Sequence, residues 1–142
     1  MASFEKASIN ADTAQIAIAA AMAKAKQMGH RMSIAVADDA GILKAFLRMD
    51  GASELTLRIA QDKAYSSACF GAATHALWDM VKNDAPLLHG IVNYPRLIVF
   101  GGGYPIMEQG KVIGGIGISG GHYSDDMEVA RAALAAIGAP VG

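Results

Sequence analysis

Nine of the sixteen glycines fall between Gly101 and Gly121, in the run GGGYPIMEQGKVIGGIGISGG. Glycine at this density marks backbone that passes close to another element or turns where a Cβ would clash. Inside the run, Tyr104–Met107 and Val112–Ile118 alternate well enough to be strands, and Gln109-Gly110 between them has hairpin-turn chemistry. The run is therefore read as a glycine-laced antiparallel hairpin forming the wall of a ligand site. It also contains Gly115-Ile-Gly117-Ile-Ser-Gly120, a literal G-x-G-x-x-G. A dinucleotide site needs those glycines after a strand and at the opening of a helix, and here they lie within a strand. The nucleotide reading is set aside.

At 142 residues the chain is read as a single domain spanning 1–142. Its apolar content is 53% and its mean hydropathy +0.29, yet no run is long enough to span a membrane. The surplus apolar surface predicts a homo-oligomer. A net charge of −1 with interspersed signs argues against a nucleic-acid partner. Cys69 stands alone, which excludes an internal disulfide and a thiolate metal cluster. MASFEKASIN carries no hydrophobic signal core, so the chain as given reads as cytoplasmic.

Asn10 is expected to cap a helix to about Met28, with Gly29 as its stop and Ala14, Ile18, Ala21, Met22, Ala25 and Met28 as its apolar stripe. Met32–Ala37 and Ile42–Met49 read as strands joined by the turn Asp38-Asp39-Ala40-Gly41. Ser53 starts a second helix to about Cys69, and Thr74 caps a third through Val81. Asn83–Pro95 reads as a loop with one helical turn, and Arg96–Phe100 as a third strand before the glycine hairpin. Asp125 with Glu128 reads as a capping box for the last helix. The expected order is αββααβββα, an α+β domain with a five-stranded antiparallel sheet.

Several segments carry a family resemblance. They are Ile34-Ala-Val-Ala-Asp38 with Gly41, Arg48-Met-Asp50-Gly51-Ala52, Lys63-Ala64, Gly102-Gly103-Tyr104-Pro105-Ile106, Gly114 to Gly120, and Asp125-Asp126. The chain resembles the GlcG/HbpS-like, or haem-degrading, family, which includes the C-terminal domain of the PduO adenosyltransferases. The resemblance implies a profilin-like or PAS-like α-β-α domain that forms dimers, tetramers or octamers. It implies haem binding in some members and an association with catabolism of small organic compounds. It also implies an axial histidine on or before the first helix, where this chain has none; its first histidine is His30.

Two functions compete on the residues. One is a small-molecule binding protein with haem as the candidate cofactor. The other is a cofactor-independent isomerase or hydrolase acting on a carboxylated catabolic intermediate. His122, after Gly120-Gly121 and before the last helix, is the leading acid–base candidate, with His75 second. His89, in a proline-flanked segment, is expected to approach the same cavity, and His75, His89 and His122 with Glu108 form a candidate metal set. Arg48, beside Asp50, is a candidate fork for a carboxylate, and Lys63 a second carboxylate ligand. Gly102, Gly103 and Tyr104 are expected to line the ligand.

Overall fold

A computed structural model of the chain describes residues 1–141. The first strand, β1 (Ser33–Asp38), follows helix α1 (Ala11–Gln27) and returns through a turn to β2 (Leu43–Arg48). Three helices come next, α2 (Glu54–Phe70), α3 (Thr74–Val81) and α4 (Ala85–Ile91). The hairpin β3 (Gly103–Glu108) and β4 (Lys111–Ser119) leads into α5 (Tyr123–Ala136). The four strands form one antiparallel sheet in the order β2-β1-β4-β3. No helix among the described residues is long and apolar enough to cross a membrane.

Several expectations are corrected. The sheet has four strands, not five, and the order is αββαααββα. Arg96–Phe100 is apolar enough to be a strand but joins no ladder, because its backbone is claimed by a side chain. Ser66 on α2 donates to the Arg96 carbonyl at 2.7 Å and accepts from the Ile98 N–H at 3.0 Å. The expected loop 83–95 instead holds α4, capped by the Asp84 carboxylate, which accepts from the Leu87 N–H, with proline in its first turn. The last helix also begins earlier than expected. His122 is its N-cap, and Asp125 and Asp126 occupy its first turn. Thr74 lies within α3 and spends its hydroxyl on the Gly103 N–H at 3.0 Å.

The sheet's two faces differ sharply, because strand side chains alternate. Ile34, Val36, Tyr104, Ile106, Ile116 and Ile118 share one face and pack against α1 and α5. Each large aliphatic side chain buried there contributes about 1.5–3 kcal/mol. The opposite face presents Ala35, Ala37, Gly103, Gly115 and Gly117, and α2 lies on it through Ala60, Ala64 and Ala68. A Cβ at Gly103 would sit 2.6 Å from the Lys63 carbonyl oxygen, and one at Gly115 or Gly117 would strike the α2 backbone. Three glycines of the run thus seat a helix on the sheet.

The hairpin turn confirms its own chemistry. Gln109 and Gly110 both have positive φ, 51° and 74°, as a two-residue turn of the mirror-image type requires. Gln109→Asn places a residue tolerant of that conformation there. It is expected to raise stability by about 0.5 kcal/mol, read as a higher thermal midpoint with unchanged circular dichroism.

Candidate functional site

Strand β4 ends at Ser119, and the chain passes through Gly120 and Gly121 into α5. Gly120 has φ +153°, and a Cβ there would lie 2.5 Å from the Arg31 carbonyl. The turn brings the His122 ring to face the start of α2 across a shared cavity. The His122 Nδ1 accepts from the Ser124 N–H at 3.2 Å and lies 2.9 Å from the Ser124 Oγ. A backbone N–H can only donate, so the neutral imidazole carries its proton on Nε2. Its ring packs on Tyr123 at 4.1 Å between centroids. Nearby, His30 and Asp125 pair at 2.9 Å.

Beneath this turn lies a buried ion pair. The Lys63 Nζ donates to the Asp126 Oδ2 at 2.8 Å and to the Ile118 carbonyl at 2.7 Å. The Gly121 N–H donates to the other Asp126 oxygen at 3.0 Å. The two side chains are only 1% and 3% exposed. Burial draws the Lys63 ammonium below its ordinary 10.5 and pushes the Asp126 carboxyl above its ordinary 3.8, while their mutual attraction works against both shifts. Gly102 makes room for the pair: with φ +119°, a Cβ there would lie 2.6 Å from the Lys63 Nζ. The pair clamps α2 to the start of α5.

Two cavities open beside the clamp. One, of about 440 Å³, lies between the starts of α2 and α5, with Ile59, Phe100, Ser119, His122 and Tyr123 in its wall. The other, of about 350 Å³, is lined by His75, Trp78, Val99, Phe100, Gly101 and Tyr123. Phe100 and Tyr123 belong to both walls, so the cavities are neighbours. The His75 Nδ1 is buried and has no hydrogen-bond partner among the described residues. Its ring meets Tyr104 edge-on at 5.6 Å, and the Tyr104 hydroxyl accepts from Arg131 at 3.1 Å. Trp78, Phe100 and Tyr123 are between 42% and 48% exposed. Three half-exposed aromatic rings around one uncommitted imidazole form a patch suited to a flat, apolar partner.

Residues 9–135 match the family described as haem degrading protein HbpS-like. The chain belongs to the HbpS-like family. It is 37% identical over 114 residues to an uncharacterised 15.0 kDa protein in the dhaT-dhaS intergenic region of Citrobacter freundii, covering 79% of this chain and 80% of that one. It is 35% identical over 120 residues to the corrinoid adenosyltransferase PduO of Salmonella typhimurium. That match covers 83% of this chain but only 35% of PduO, so the chain spans about a third of that relative. The structure of a PduOC:heme complex superposes with a TM-score of 0.87 at 30% identity, over 94% of this chain and 98% of that one.

Within this HbpS-like fold the candidate residues disperse. His122 and Lys63 line the first cavity, and His75 lines the second. Gly102 and Gly103 pack against Lys63 and Thr74, while Tyr104 is buried. Arg48 donates to the Ala52 carbonyl at 3.0 Å and so pins the loop into α2, and Asp50 is exposed in that loop. His89 sits on α4 and Glu108 at the exposed end of β3, in neither cavity wall. No three His, Cys, Asp or Glu side chains of the described residues converge as a metal set would require. Sequence reading missed the partnership of Lys63 with Asp126, and the place of Phe100 between the cavities. Phe100 was legible only as the aromatic end of an apolar run.

Proposed function

We propose that the chain binds a planar, acid-bearing ligand of the haem class in the paired cavities around Phe100 and Tyr123. The observation that carries this is the His75 imidazole, which lines an aromatic cleft and is committed to no hydrogen bond with the described residues. An imidazole free of other commitments is the donor that haem iron commonly takes. With no histidine in α1, His75 is the residue placed to serve. Trp78, Phe100 and Tyr123 would cover the faces of the macrocycle. His122, with its Nε2–H, would receive an acid group. Haem, when bound, would supply iron redox and ligand chemistry; the chain's own part is to hold, orient and shield it.

The haem-complexed relative supports this reading, and the adenosyltransferase relative supports a role beside small-molecule catabolism. A homo-oligomer in which a second copy closes the cleft accords with the exposed Trp78, Met80 and Tyr94. A haemin titration followed at the Soret band tests the proposal. The expected result is a shift that saturates at fixed stoichiometry, disappears in His75→Ala and weakens in His122→Ala. A featureless titration, or one unchanged in His75→Ala, would remove it.

One observation favours the enzymatic alternative: Ser124 fixes the His122 tautomer and leaves its proton outward, as an acid–base group needs. That reading places an isomerase or hydrolase for a carboxylated substrate in the same cavity. It requires His122→Ala to abolish turnover while the fold is retained.

A further inference from the structure

A larger cavity than either of these lies elsewhere. It measures about 700 Å³ and lies between the outer face of α2 and the β1–β2 turn, sharing no lining residue with the two cavities above. Two arginines enter it, Arg58 from α2 and Arg96 from the loop beyond α4. Arg96 has φ +72°, a left-handed conformation that side chains of its kind rarely adopt. The fully buried Ser66 holds it there through its bonds to the Arg96 carbonyl and the Ile98 N–H. Strain held by hydrogen bonds from a buried side chain is a feature of sites that must aim a side chain.

The aim is well defined. The Arg96 guanidinium stacks on the Tyr65 ring at 4.1 Å, and its Nε donates to Asp62 at 2.9 Å. Its two terminal nitrogens make no hydrogen bond to the described residues, and neither does the Arg58 side chain. Glu54 and Gln61 supply an acceptor and an amide to the same space. A stacked guanidinium with its free edge turned outward is the geometry of carboxylate recognition. Glu54 and Gln61 suit hydroxyl groups.

We infer that this cavity is a second binding site, for a small carboxylate bearing hydroxyl groups. The site stands independently of the haem reading, and the carboxylate fork that sequence reading gave to Arg48 is supplied here by Arg58 and Arg96.

The test is a titration of the ¹⁵N-labelled full chain with L-malate, followed by amide and arginine Nε chemical shifts, with succinate and sulfate run beside it. Saturable shifts at Gln61, Tyr65 and Arg96 are expected, weaker with succinate and absent with sulfate. Arg58→Gln and Arg96→Gln should each weaken malate about tenfold or more, while Arg58→Gln leaves the haemin titration unchanged. Because Arg58 holds no other residue, Arg58→Gln keeps its fold and carries the test even if Arg96→Gln does not. Failure of malate to saturate, equal shifts with sulfate, or wild-type affinity in Arg58→Gln would overturn the inference. A flat haemin titration would leave it standing.

Discussion

Gly117→Ala is expected to strip the chain of a large share of its stability. The added Cβ would lie 2.9 Å from the Lys63 Cβ and 2.5 Å from the Ala64 amide nitrogen, with the Ala60 carbonyl nearer still. Two of these three atoms are α2 backbone, so no rotamer change relieves the clash. The helix must lift from the sheet and surrender its packing on Ala35 and Ala37. Overpacking a close-packed interior costs about 1–3 kcal/mol and more where backbone must move, so about 3 kcal/mol or more is expected. Against a total stability of about 5–15 kcal/mol that is a large share. The check is a urea unfolding curve, whose midpoint should fall steeply. Gly90→Ala is the control: nothing lies within 4 Å of its Cβ, and it sits in α4. Alanine is the better helix former by about 1 kcal/mol, so that midpoint should hold or rise. If the two variants melted alike, the seating of α2 on β4 would be wrong.

That contrast bears on how legible the fold was. Elements with a local code read out correctly. Asn10 caps α1, Gly71 ends α2 in the left-handed conformation, and Gln109-Gly110 turns the hairpin. The glycine run was visible too, but its purpose was not. Glycine tells of a close approach without naming what approaches, and at Gly103, Gly115 and Gly117 it is the backbone of α2. A hint lay in the partner sequence: Ala60, Ala64 and Ala68 recur at four-residue spacing, a smooth face that suits a glycine-bearing strand. The error at Arg96–Phe100 has a different origin. Its composition favours a strand, but Ser66, thirty residues away, takes the backbone groups a ladder would need. The helix α4 could have been found from Asp84 and Pro86, an N-cap followed by a first-turn proline.

The site was legible residue by residue but not as an arrangement. Lys63, His75 and His122 could each be singled out by type and place. Nothing along the chain says that Lys63 meets an aspartate sixty-three positions later, or that His75 shares a cleft with Phe100. Arg96 was hidden for the reason that makes it interesting: a left-handed arginine violates local preference and is imposed by tertiary contacts.

Lys63→Met should cost about 3–5 kcal/mol, because it removes the ammonium and leaves the Asp126 carboxylate buried without its counter-charge. The methionine stem keeps most of the packing, so the loss reports charge rather than volume. Adding Asp126→Asn should restore a good part of the stability, since the amide oxygen can still accept from the Gly121 N–H. The pH dependence separates this cause from simple misfolding. Burial already raises the Asp126 carboxyl above its ordinary 3.8, and loss of Lys63 removes the attraction that opposed the rise. A carboxyl with a raised pKa in the folded state binds its proton more tightly there than in the unfolded chain. Its contribution to stability is then full below about pH 4 and lost as pH rises through the folded value. The deficit of Lys63→Met relative to the parent should therefore shrink on acidification and widen toward neutrality, as read from urea midpoints across that range. A deficit independent of pH would mean that Lys63 matters for its packing, and that the ion pair is not what clamps α2 to α5. A wild-type midpoint in the double variant, with haemin binding intact, would place the pair wholly in the scaffold and leave the chemistry of the site to His75 and His122.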